Sequence, residues 1–105
     1  MPKYLWTGSY TAEGARGVLK EGGAGRRAAV QQLVESAGGK LESFYYAFGG
    51  SDFFITVDLP NNATAANAAM RVAASGAARV RTVVLVAPED IDHGGKPVKY
   101  RAPGQ

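Results

Sequence analysis

The chain contains no cysteine in its 105 residues. Disulfides and thiolate metal sites are therefore excluded. There is one histidine, His93, and without a second one a typical zinc site cannot form within a single chain. A lone axial ligand to haem is conceivable chemically, but His93 lies in "DIDHGG", where a solvated loop histidine is the expected reading. No cofactor and no metal are expected. No apolar run approaches the roughly 18 residues a membrane helix needs. The N-terminal "MPKYLWTGSY" lacks an apolar stretch followed by a small-residue cleavage site. A cytoplasmic protein without membrane association is the resulting expectation. Lysine and arginine number 12 against 9 acids, a net charge of +3. Part of this excess belongs to Lys96, Lys99 and Arg101 near the C-terminus. No basic run is long enough for a nucleic-acid stripe, and the pair Arg26–Arg27 reads as a solvated helix face. Neither a Gly-x-Ser-x-Gly elbow nor a His-Glu metal motif occurs. The glycines of "KEGGAGRRAA" match neither a Walker A loop nor a dinucleotide fingerprint, and read as a flexible loop.

What the chain does contain is a globular composition, 46% hydrophobic and 20% charged, sized for one domain with a modest core. Lys3 to Tyr10 alternates as a strand. "TAEGARGVLKEGGAG" reads as a loop, with a first helix beginning near Gly25. In that helix Ala29, Val30, Leu33, Val34 and Ala37 recur at helical spacing, and Gly38-Gly39 ends it. "KLESFYYAF" reads as a second strand, "GGS" as a turn and "DFFITVDL" as a third strand, closed by Pro60. Asn61 or Asn62 caps a second helix, with Ala65, Ala66, Ala69, Met70 and Ala73 as its apolar stripe and Gly76 as its end. "ARVRTVVLVA" is the fourth strand. "PEDI" begins a short turn. Residues 1–92 form the domain, and 93–105 are a Gly/Pro-rich tail.

The order β-α-β-β-α-β is the split β-α-β, or ferredoxin-like, plan. Its fold class is α+β, with an antiparallel sheet of spatial order 4-1-3-2 and both helices on one face. Phe53, Ile55, Val57 and Leu59 are expected beneath the helices, with Phe54, Thr56 and Asp58 opposite. Tyr4 and Trp6 share one side of the first strand, Leu5 and Thr7 the other. On the second strand Leu41 and Tyr45 alternate with Phe44, Tyr46 and Phe48. The fourth strand carries Val80, Val84 and Val86 on one side and Val83 and Leu85 on the other. Neither face is polar, whereas an antiparallel sheet facing water normally alternates. A bare apolar face of that size calls for a cover. The expected cover is the same face of a second copy about a two-fold axis, a homodimer that stacks its sheets as a dimeric α+β barrel. The competing cover is the C-terminal tail folded back.

At "FYYAFGGSDFFITVDLP" the chain resembles the GYD-domain family of small bacterial proteins. That family's signature is an aromatic strand, a Gly-(x)-Tyr-Asp turn and a β-branched run. "YLWTGSYTAEG", "RRAAVQQLVESAGGKLES" and "AASGAARVRTVVLVAPEDID" extend the resemblance over roughly residues 3 to 92. It implies a dimeric α+β barrel and leaves the biochemical function uncharacterised. Ser51 stands in the signature's tyrosine place, while Gly49 or Gly50 and Asp52 are kept.

The fold plan brings the end of the first strand, the hairpin and the start of the fourth strand to one rim. Asp52 is expected beside Ser9 or Tyr10, with Arg79 or Arg81 approaching from the other side. An acid, an arginine and a tyrosine beside aromatics suit a small-molecule site. The ligand-binding candidates are Trp6, Tyr10, Tyr46, Asp52, Phe54 and Arg81, and Asp52, Tyr10 and Arg81 are the weak catalytic candidates. For Asp52 the simpler reading is a turn residue that accepts backbone N–H bonds. For the aromatics it is an interface core. Three functions stay open: a small dimeric domain binding an organic ligand in a cleft beside the sheet, a cofactor-independent monooxygenase or isomerase, and a purely structural interaction module.

Overall fold

The computed structural model describes the whole chain, Met1–Gln105. Strand β1 spans Lys3–Tyr10 and leads into helix α1, Ala12–Glu21, then helix α2, Gly23–Ser36. Strands β2, Lys40–Tyr46, and β3, Phe53–Asp58, form a hairpin. Helix α3, Asn62–Ser75, strand β4, Ala78–Leu85, and the single turn α4, Pro88–Asp92, complete the order. The sheet is antiparallel throughout, with spatial order β2-β3-β1-β4. This is the expected arrangement, with one added helix.

That helix corrects the reading of residues 11–25 as a loop. Thr11 caps α1, its Oγ1 accepting from the Gly14 N–H at 3.1 Å. Glu13 in the first turn and Lys20 in the last complement the helix dipole. The two interior glycines hid the helix from a propensity argument. Gly14 serves a close approach: a Cβ there would lie 1.9 Å from the Ala77 carbonyl oxygen. Gly22, at φ 87°, makes the break between α1 and α2, a conformation that side chains with a Cβ rarely adopt. The glycines of "KEGGAGRRAA" are thus a helix-to-helix corner and the first turn of α2, not a flexible loop.

The core lies between the sheet and α2 and α3. Tyr4, Trp6, Phe53, Ile55, Val57 and Leu59 meet Val34, Ala65, Ala68 and Ala78 there, all buried. Fully burying a side chain such as Val34, Val57 or Leu59 contributes about 1.5–3 kcal/mol. The stripe of α2 falls where its spacing puts it, with Val34 buried and Val30 and Ala37 packed beside it. That of α3 is rotated from the expected set. Ala65 and Ala68 are buried and Val72 packs beside them, while Met70 is exposed. Alanine at seven of the fourteen positions of α3, on every side of the helix, leaves the sequence without a clear phase. Asn61 does cap this helix, through Thr64 N–H at 2.9 Å, and Gly76 closes it in the left-handed conformation.

A register shift between Leu41 and Ser43 changes the faces of β2. Leu41 pairs with Val57, Phe44 with Ile55 and Tyr46 with Phe53, so all three lie on the helix side. The expected alternation of Leu41 with Phe44 is therefore overturned by one extra residue, as a β-bulge requires. Tyr45 alone of the β2 aromatics faces away, and Phe48 lies fully exposed in the turn.

The helix-free face is mixed rather than wholly apolar. One row holds Val83, Leu5, Thr56 and Ser43, and the next Arg81, Thr7, Phe54 and Tyr45. At one end Lys3 pairs with Asp58 at 2.9 Å and with Glu42. Tyr45 is 70% exposed, Phe54 44% and Val83 43%. The tail does not cover them: residues 94–105 are exposed throughout. The radius of gyration, 16.7 Å, exceeds the roughly 13 Å of a compact chain of this length.

Candidate functional site

A cavity of about 350 Å³ opens between α2, α3 and the helix-side face of the sheet. Trp6, Phe53 and Ile55 line it from the strands, and Ala29, Val30 and Leu33 from α2. From α3 and β4 come Ala69, Val72, Ala78 and Val80. The small Ala69 side chain on α3 leaves the gap unfilled. Tyr10 stands at one end, its ring 5.1 Å from Phe53. Arg26, Arg71 and Ser75 supply the remaining polar side chains of the lining. Ser75 is already engaged: its Oγ donates to the Val72 carbonyl at 2.6 Å and accepts from Ala77 N–H at 3.2 Å. A more open depression of about 460 Å³, lined by Ser36, Thr64 and Asn67 among others, lies between α2 and α3. It reaches none of the sheet aromatics.

The electrostatics follow from burial. Tyr10 is pushed up to about 12, first by loss of solvent and then by its neighbour Tyr46, against the opposing pull of Arg26. Burial also raises Tyr46, whose hydroxyl donates to the Gly23 carbonyl at 3.0 Å and ties β2 to the α1–α2 corner. Tyr10 therefore stays protonated across the physiological range, suited to donate a hydrogen bond rather than to act as a base. Arg26 reaches Glu21, Nε to Oε1 at 3.2 Å, but out of line for a hydrogen bond. Trp6 is 5% exposed and its Nε1 is sealed from water with no acceptor. An unpaired buried donor of this kind costs about 1–3 kcal/mol.

The six candidates divide across the sheet. Trp6 and Tyr10 line the cavity, and Tyr46 adjoins it through Tyr10. Phe54 and Arg81 pair with Thr7 on the helix-free face, so they cannot share a site with Trp6 within one chain. Arg81 lies 3.4 Å from Ser51, Nη2 to Oγ. Asp52 sits at the expected rim, its Oδ2 accepting from Tyr10 N–H at 2.9 Å. Its own N–H donates to the Gly8 carbonyl at 2.7 Å, and its carbonyl accepts from Ala47 N–H at 2.8 Å. The first two bonds fasten the hairpin to β1 and the third closes the hairpin itself, which is what the turn reading of that residue asks for. Arg26 and Arg71 were missed from sequence. Arg26 reads as half of a solvated pair, and Arg71 carries no motif. Only the folded α2 and α3 bring both to one opening. His93 is exposed just after α4, and no cluster of three metal-ligating side chains exists.

The aromatic hairpin and this layered sheet agree with the family comparison, in which the model of the GYD domain matches residues 4–93. The chain belongs to the GYD domain family. Comparison with curated proteins and with solved structures gives no match. In this GYD domain the matched span runs from β1 through α4 and stops where the exposed tail begins. No helix is long and apolar enough to cross a membrane.

Proposed function

We propose that this GYD domain binds a small organic molecule in the cavity between α2, α3 and the sheet. The observation that carries the reading is the cavity itself: about 350 Å³, apolar, and walled by the core residues Trp6, Phe53 and Ile55. That volume lies within the range of small-ligand sites, and the few polar groups at its edge match their usual make-up. Trp6 is the sole tryptophan, so its emission reports on this one place. Small neutral apolar compounds such as cyclohexylmethanol are expected to shift that emission and raise the melting temperature. Ala69→Phe, which fills the cavity from α3, is expected to abolish both effects. A fragment series that leaves Trp6 emission and melting unchanged would sink the reading.

The same proposal includes a homodimer through the helix-free face. Exposed Tyr45, Phe54 and Val83 on that face support it, as does a tail that leaves them uncovered. Phe54→Glu is expected to convert a dimeric mass by light scattering to a monomeric one. A wild-type chain that is monomeric at micromolar concentration would remove the dimer and leave the cavity untouched.

A further inference from the structure

The charged side chains that line the cavity are of one sign. Among its lining side chains the only ionisable cations are Arg26 and Arg71, and there is no aspartate or glutamate. Neither arginine has its terminal nitrogens committed within the chain. Arg71 donates through Nε to Asn67 at 2.8 Å, and Arg26 lies against Glu21 through Nε. Of the other polar side chains of the lining, Ser75 is engaged by Val72 and Ala77, the Tyr10 hydroxyl is held protonated beside Tyr46, and the Trp6 indole N–H is buried without an acceptor. Arg26 further sits in the first turn of α2, where there is no acidic residue. The positive end of the helix dipole lies there, so a cation is disfavoured and an anion favoured. Two features, the two guanidinium groups with uncommitted terminal nitrogens and the helix start without an acidic residue, call for an acceptor with negative charge. The remaining wall is aliphatic or aromatic and calls for an apolar body.

We infer that the cavity takes small amphipathic organic carboxylates, the apolar body over Trp6 and Ile55 and the carboxylate at Arg26 and Arg71. This rests on the cavity being a ligand site and names what that site selects. A planar guanidinium donates two parallel bonds to a carboxylate, which an alcohol of the same shape cannot accept. Glu21 competes for Arg26 from the α1 side, at its Nε, and the terminal nitrogens remain for the ligand.

The test uses the full chain and three probes with one apolar body: cyclohexanecarboxylate, cyclohexylmethanol and cyclohexylmethylamine. Each is titrated against Trp6 emission, with calorimetry in parallel. The carboxylate is expected to bind about tenfold tighter than the alcohol, the size of one charge-assisted bond. The amine is expected to be weakest, and the advantage should shrink at high salt. Arg26→Met is expected to bring acid and alcohol within about threefold of each other. Arg71→Met, on an exposed residue unconnected to the core, provides the same comparison if the first variant folds poorly. Arg101→Met in the tail should change nothing. Equal binding of acid and alcohol would overturn the inference while leaving the cavity a ligand site. Binding by none of the three would overturn both. A preference that survives both Arg26→Met and Arg71→Met would overturn the assignment of the carboxylate to the arginines.

Discussion

Two glycines in one helix make opposite demands, and substituting each by alanine separates them. Gly14 rests on the backbone that joins α3 to β4. An alanine Cβ there would stand 1.9 Å from the Ala77 carbonyl oxygen and 2.8 Å from its carbon. Restoring ordinary contact needs a shift of roughly 1.5 Å, since carbon atoms pack no closer than about 3.5 Å. The movement strains the bonds that dock α1, Thr11 N–H to Ala77 O at 3.0 Å and Thr11 Oγ1 to Gly76 O at 2.7 Å. Overpacking costs about 1–3 kcal/mol, a weakened hydrogen bond about 1, and alanine returns about 1 in helix propensity. The net loss is about 2 kcal/mol, a fall in melting temperature of roughly 8–16 °C for a domain of this size. Gly17, three residues on, has nothing within 4 Å of the same added atom. Gly17→Ala is therefore expected to gain about 0.5–1 kcal/mol. Thermal and urea unfolding followed by circular dichroism measure both. Gly14→Ala as stable as Gly17→Ala would refute the claim that α1 is held by close backbone contact.

Asp52 and Tyr10 give two further expectations. Asp52→Ala removes the acceptor of the Tyr10 N–H and is expected to cost about 1–2 kcal/mol in urea unfolding. Asp52→Asn, which keeps an acceptor oxygen, should cost much less and leave probe binding to the cavity unchanged. A large loss of binding in Asp52→Asn, with stability intact, would instead give that carboxylate a direct part in the site. The phenol of Tyr10 is raised by burial from its ordinary 10.0 to about 12. The unfolded chain then releases a proton that the folded chain retains. The stability this contributes is complete below pH 10 and is lost as pH rises through about 12. Tyrosinate absorbance should show one fewer late-titrating phenol in Tyr10→Phe than in the wild type, and that variant should lose less stability over this interval. An unchanged alkaline profile in Tyr10→Phe would contradict the assignment.

Alternation and turn residues made the four strands legible. Phe53, Ile55 and Val57 lie under the helices and Gly49–Asp52 turns the hairpin, as period two and glycine chemistry require. The spacing of Val30, Val34 and Ala37 likewise located the buried side of α2. Helix α1 was not legible, because a glycine chosen for contact with Ala77 looks the same in sequence as a glycine that breaks a helix. The bulge on β2 was not legible either. Its one-residue shift depends on pairing with β3 and moves Leu41 to the core side.

The candidate site shows the same division. Sequence singled out Trp6, Tyr10 and Asp52 because rare aromatics and an acid after a turn are visible along the chain. It also grouped them with Phe54 and Arg81, which the pleat of the sheet sends to the opposite face. The sequence by itself determined the class and the strand order, since those follow from local periodicity and chain connectivity. Tertiary structure alone decided which side chains meet. Arg26 and Arg71 are far apart in sequence and share an opening only because α2 and α3 pack on the same face of the sheet.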